Sequence, residues 1–237
     1  MTLRRPLARF ALFAGLVGGV LSTPVLANAT TSPTVTSVLR AANAQLAKET
    51  SVHIEVQSIN KSSTSSIKVD LGTSTGDEFL VSGKMKVAIL VTPKAAFLSG
   101  NKLGLTTVMG LTSAQQKKIG SKWMEMFKGT VPYTNLEKNL TTAVLTQILP
   151  KASGTKLATT SDKAKNFQLS WTTAAGAAPA SKNVLVIASG STTLPISQTI
   201  TSSTGHGTTT YSKWNQRFSV VSPKSSDVVT YKSVFGH

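Results

Sequence analysis

Gly72-Thr73-Ser74-Thr75-Gly76 is the string with the most obvious chemical content. It matches G-x-S-x-G, the nucleophile elbow, in which a strained strand-to-helix turn lifts a serine hydroxyl above a sheet. That chemistry needs a strand before the turn and a helix after it. Ile67–Leu71 alternates and supplies the strand, but Asp77-Glu78-Phe79-Leu80-Val81 reads as a second strand. A hairpin turn is the better account, and no hydrolase follows from the string.

His53 and Glu55 are the next candidates, because they share one face of an alternating segment and make half of a metal site. No third ligand is suggested. His206 lies between two glycines in an expected hairpin tip, and His237 is the last residue. The nine carboxylates are dispersed, with no pair at a spacing that implies acid–base work. There is no cysteine, so thiol nucleophiles, thiolate metal sites and disulfides are all excluded. These residues describe a non-enzymatic protein with no cofactor or metal.

The elements around them follow from hydrophobic periodicity. Val35, Val38, Leu39, Ala42 and Leu46 form one apolar helical face, which predicts a helix over about 33–50 with Pro33 in its first turn and Ser32 as its cap. The period then becomes two. Val52, Ile54 and Val56; Ile67, Val69 and Leu71; Phe79 and Val81; and Met85, Val87, Ile89 and Val91 each alternate with polar or small residues. Glycine and proline turns separate them, as in an antiparallel sheet with one buried face. A short capped helix is expected at 112–117 and a strand at 122–126. A longer helix is expected over 134–149, capped by Thr134 with Glu137 in capping-box position. Strands return with Phe167, Leu169 and Trp171, and then at 183–188, 194–201, 208–214 and 217–221. Strands, helices and strands in that order read as α+β, with helices packed on one face of a long antiparallel sheet.

The N-terminus has three parts. Arg4, Arg5 and Arg9 precede the uncharged run Phe10–Leu21, and Ala27-Asn28-Ala29 follows. Basic, apolar and small-residue segments in that order are a secretory signal peptide, cleaved near Ala27 or Ala29. The apolar run has 12 residues, where a membrane-spanning helix needs about 20. The expected organisation is a signal peptide at 1–29 and a single domain at 30–237, secreted into an extracytoplasmic or envelope compartment. The whole chain carries +16, and removing those three arginines leaves +13. The remaining cations are lysines apart from Arg40 and Arg217, scattered rather than clustered. Nucleic-acid readers concentrate arginine along one patch, so no nucleic-acid partner is expected. A diffuse cationic surface fits an anionic membrane or wall surface, because that attraction needs only net charge; solubility alone is the other use of such charge.

The C-terminal region carries a resemblance. Asn183-Val184-Leu185-Val186-Ile187-Ala188 is followed by a turn and Leu194-Pro195-Ile196. Next come a hairpin around Gly205-His206-Gly207, then Tyr211-Ser212-Lys213-Trp214, Phe218-Ser219-Val220-Val221-Ser222-Pro223 and Asp227-Val228-Val229. Upstream stands Gly120-Ser121-Lys122-Trp123-Met124. These runs resemble strands of the LppX/LprA/LprF/LprG lipoproteins of actinobacteria, and the expected helices fall where that family has helices. The resemblance implies a LolA-like half-barrel: a long curved antiparallel sheet, unclosed, with helices over its concave side. It also implies an apolar cavity for lipid or glycolipid acyl chains, hence a carrier. A non-enzymatic sensor, adaptor or wall-associated module on the same fold is the alternative. From alternation, the expected cavity lining is Val69, Leu71, Phe79, Val81, Val87, Ile89 and Trp171. The chain departs from the family in one respect: it lacks the lipobox cysteine that would carry a lipid anchor.

Overall fold

The computed structural model describes residues 32–60, 63–176 and 179–236. The expected signal peptide, the cleavage site and His237 lie outside them. The described elements run α1 (Val35–Leu46), β1 (Ser51–Asn60), β2 (Thr64–Gly72), β3 (Gly76–Ser82), β4 (Met85–Val91) and β5 (Ala95–Gly100). Then come α2 (Lys102–Met109), α3 (Ser113–Ile119), β6 (Trp123–Phe127), α4 (Val131–Asn139) and a 3-10 helix, Thr142–Ile148. β7 (Lys156–Thr159), β8 (Phe167–Thr173), β9 (Ser181–Ile187), β10 (Pro195–Ser202) and β11 (Gly205–Ser212) follow. β12 (Val228–Thr230) and α5 (Tyr231–Phe235) complete the order.

All twelve strands form one sheet, ordered β12-β6-β5-β4-β3-β2-β1-β11-β10-β9-β8-β7. Every pairing is antiparallel except β12 with β6. The sheet is not closed, since β12 and β7 are its two edges. This is the expected α+β half-barrel.

One face carries the main core. Val38, Ala42 and Leu46 of α1, Leu105, Leu111 and Ile119, Tyr133 and Leu136 of α4, and Val144, Leu145 and Ile148 of the 3-10 helix pack against it in one continuous cluster. The opposite, convex face is crossed by residues 213–227. β11 already has β1 and β10 on its two sides, so no edge remains there for a following strand. The chain instead runs over the convex face and rejoins the sheet at its far edge as β12. The strand expected at 217–221 is therefore absent, and Val220 packs on Leu90, Ala95 and Phe97 from outside. That cover explains why Ala95, Ala96, Phe97 and Leu98 of β5 are buried in succession, with no alternation.

Two helices differ from expectation. α1 is capped by Thr34, whose side chain accepts from Ser37 N while Ser37 reciprocates to Thr34 N. This reciprocal pair satisfies two free donors and leaves Ser32 and Pro33 outside the helix. The helix expected over 134–149 starts earlier and then breaks. Thr130 caps α4, Pro132 sits in its first turn, and proline is tolerated there because its missing N–H has no partner to lose. At Thr141 the backbone forms a bridge with Gly72 at the end of β2. The Thr141 hydroxyl donates back to the Glu137 carbonyl at 3.0 Å, and the chain continues as a 3-10 helix. α3 matches expectation: Thr112 and Gln115 form its capping box. α2, α5, β7 and β12 were not anticipated from periodicity.

Candidate functional site

The register defines the concave wall. One row runs Tyr211, Ile54, Val69, Glu78, Ile89, Leu98 and Met124 across seven strands. The next row holds Val52, Leu71, Gly76, Val91, Ala96 and Met126. Beyond β11 the same face continues through Gln198, Leu185, Leu169 and Leu157. Small and aliphatic side chains dominate it, and directly opposed pairs of this kind are the unit of sheet packing.

Val69, Leu71, Val87 and Ile89 lie on this wall and are buried. Trp171 lies on the same face opposite Asn183 and is half-buried. Phe79 and Val81 do not lie there. β3 presents Glu78 and Leu80 inward, so Phe79 and Val81 point to the convex side, 46% and 43% exposed. The expectation for these two residues is corrected. A one-residue change of register moves every side chain of a strand to the other face, and β3 carries apolar residues at three consecutive positions, Phe79, Leu80 and Val81, so alternation alone does not choose.

Cover over the wall is uneven. Most wall residues of β1–β6 are buried beneath helical side chains, Ile67 of β2 being only partly so, whereas at the other end Leu157, Phe167 and Trp171 on β7 and β8, with Val35 and Leu39 of α1, are all only partly buried against the same core. The convex side has its own opening, a groove of about 560 Å³ between residues 213–227 and β4–β6, lined in part by Lys94, Phe97, Glu125 and Val220.

The convex face also gathers polar groups that sequence spacing kept apart. His53 Nδ1 stands 2.8 Å from Asp70 Oδ1, its Nε2 stands 3.3 Å from Glu55 Oε1, and Glu55 is 3.5 Å from Lys68 Nζ. The hydrogen bond with His53, then the charge of Lys68, holds the Glu55 carboxyl below its ordinary value. Asp70 N donates to Asp77 Oδ1 at 3.3 Å. Burial, reinforced by the charge of Asp70, pushes the Asp77 carboxyl up to about 6. The alternation that placed His53 and Glu55 together also applies to Asp70, but the pairing of β1 with β2 that joins them is not local. Among the described residues, no group of three or more histidine, aspartate or glutamate side chains is arranged to hold a metal ion. Ser74 sits in the hairpin between β2 and β3, with no helix after it. His206 lies within β11 opposite Ile59, not at a hairpin tip; the turn itself is Ser203-Thr204. Trp214 lies past the end of β11 and stacks on Tyr211, their ring centroids 6.4 Å apart.

An unclosed, almost wholly antiparallel sheet with helices on its concave face and an aliphatic wall between them defines the class: an α+β half-barrel. No family model and no curated protein matches the chain. Among solved structures, the Mycobacterium tuberculosis lipoprotein LppX aligns over 79% of this chain and 98% of its own, at a TM-score of 0.50 and 17% identity. LprF from Mycobacterium bovis aligns over 80% and 96%, at a TM-score of 0.44 and 15% identity. The chain has the LppX fold. Among the described residues, no helix is long and apolar enough to cross a membrane.

Proposed function

We propose that this protein is a secreted, non-enzymatic lipid carrier of the cell envelope that holds lipid or glycolipid acyl chains against its concave wall. The observation that carries this reading is the wall itself: aliphatic rows spanning the sheet, on a fold shared with a lipoprotein. Each buried CH₂ contributes roughly 0.8 kcal/mol, so a chain of about 15 carbons gains on the order of 10 kcal/mol before binding costs. Where helices seal the wall, that gain has to offset the re-exposure of residues such as Leu145 and Ile148, at roughly 1.5–3 kcal/mol each. The partly covered end at Leu157, Phe167 and Trp171 demands the least displacement. It is where we place the acyl chain first.

Native mass spectrometry and organic extraction of protein purified from its own host test this. A bound lipid that survives gentle ionisation and is recovered in the solvent is expected. A clean ligand-free mass with an empty extract overturns it.

One observation favours a second reading. The sealed packing over β1–β6 leaves a core that stands without a ligand, as an envelope sensor, adaptor or wall-associated module would need. Retention on cell walls that falls with salt, together with an empty extract, selects it over the carrier.

A further inference from the structure

Residues 213–227 cover only one end of the convex face. Phe218 approaches Gly72, and Val220 sits on Leu90, Ala95 and Phe97, at the end of the sheet where β4 turns into β5. The other end, around the β3–β4 hairpin, is bare. Phe79 and Val81 are exposed there, and Leu103 at the start of α2 is 51% exposed. The Asn101 side chain locks α2 to this hairpin: it donates to the Lys84 carbonyl at 2.5 Å and accepts from Lys86 N at 3.2 Å. Leu103 is thereby held beside the hairpin.

Lysines frame these apolar side chains. Lys86 stands directly opposite Val81, and Lys68 directly opposite Phe79. Lys84 lies on the hairpin and Lys102 beside Leu103, both exposed. Of these four, Lys68 is matched by a carboxylate, Glu55, at 3.5 Å.

We propose that this end of the molecule docks on an anionic lipid bilayer. Phe79, Val81 and Leu103 enter the boundary between headgroups and acyl chains, while Lys84, Lys86 and Lys102 meet the phosphates. Exposed apolar residues with lysines beside them are the pattern of an interfacial anchor; Asp70 and Asp77 share this face but lie toward the covered end, and Glu55 is paired with Lys68. A bilayer fits better than an anionic wall polymer, because a solvated polyanion gains nothing from an exposed phenyl or isopropyl group. The inference does not depend on a lipid occupying the concave wall.

Vesicle sedimentation tests it, using phosphatidylcholine alone and phosphatidylcholine with about 30% phosphatidylglycerol. Binding to the anionic vesicles is expected. It should fall about tenfold or more in Lys84→Glu/Lys86→Glu and about tenfold in Phe79→Ser/Val81→Ser. Phe127→Ser/Val131→Ser removes a still more exposed apolar pair at the opposite end of the sheet and should bind within about twofold of the parent. Equal binding to both vesicle types overturns the proposal, as does greater loss in the Phe127/Val131 variant. Parent-like binding of Phe79→Ser/Val81→Ser also overturns it, and leaves charge alone. Thermal melts confirm that each variant is folded; if the serine pair is not, Phe79→Ala/Val81→Ala replaces it. A protein that purifies free of lipid yet binds anionic vesicles keeps this surface and loses the carrier reading.

Discussion

The side-chain amide of Asn215 donates to the carboxylate of Glu49 at 2.6 Å, joining the segment after β11 to the segment after α1. Glu49 is only 4% exposed and takes a second hydrogen bond from Gln45 Nε2 at 2.6 Å. The Asn215 side-chain oxygen Oδ1 accepts from Thr50 N at 2.8 Å. Asn215 also holds φ at 58°, a left-handed conformation that asparagine tolerates better than most residues. This knot starts residues 213–227 on their path across the convex face.

Asn215→Ala removes the donor to a buried carboxylate and imposes a strained φ. A loss of about 2–4 kcal/mol is expected. Asn215→Gly loses the same hydrogen bonds without the strain, and should cost about 1 kcal/mol less. Urea unfolding of both variants checks the difference; equal costs, or both under about 1 kcal/mol, remove the knot from the account.

The register of β3 makes opposite demands on adjacent residues. Leu80 is buried on the concave wall and Val81 is exposed. Leu80→Ala should destabilise by about 2–4 kcal/mol, and Val81→Ala by less than about 0.5 kcal/mol. The reverse order in denaturant titrations would show that the strand faces the other way.

The G-x-S-x-G string divides in the same manner. Ser74 is exposed at the hairpin, so Ser74→Ala should leave stability within about 0.5 kcal/mol of the parent. A Cβ at Gly76 would run into the carbonyl oxygen of Leu140. That contact is backbone and cannot rotate away, so Gly76→Ala should cost upward of about 2 kcal/mol and loosen the α4–3-10 junction from the sheet. Circular-dichroism melts compare the two; a neutral Gly76→Ala contradicts the close approach.

Asp77 sets a pH dependence. Its folded value of about 6 lies above the ordinary 3.8. Between those values the native state binds more protons than the unfolded chain, so this group lowers stability as pH rises from about 4 to about 6. Asp77→Asn keeps an oxygen to accept from Asp70 N and removes the charge. It should be stabilising above pH 6 and close to neutral below pH 4. Unfolding midpoints across pH 4–8 read the difference directly, and a gap that does not widen with pH rules out the buried charge as its cause.

The sequence by itself determined the class of the fold and the hairpin at the G-x-S-x-G string. Period-two runs from Val52 to Val91 placed β1–β4 close to their observed bounds. The capping box at Thr112 placed α3, and the glycines flanking Ser74 marked a turn. These features are local: each depends on residues within a few positions of one another. The inward facing of Val69, Leu71, Val87 and Ile89 was legible for the same reason.

The tertiary structure decided what depends on distant partners. Phe79-Leu80-Val81 permits either register, and the flanking strands β2 and β4, aligned with Glu78 and Leu80 inward, select one. Thr134 to Leu149 carries a helical pattern, but the bridge between Thr141 and Gly72 breaks it. Residues 217–221 have the composition of a strand, yet β11 offers no free edge, so they become the convex cover. The bare hairpin end exists only because that cover stops short. His53, Asp70 and Asp77 meet for the same reason: strand pairing brings together residues that sequence spacing separates.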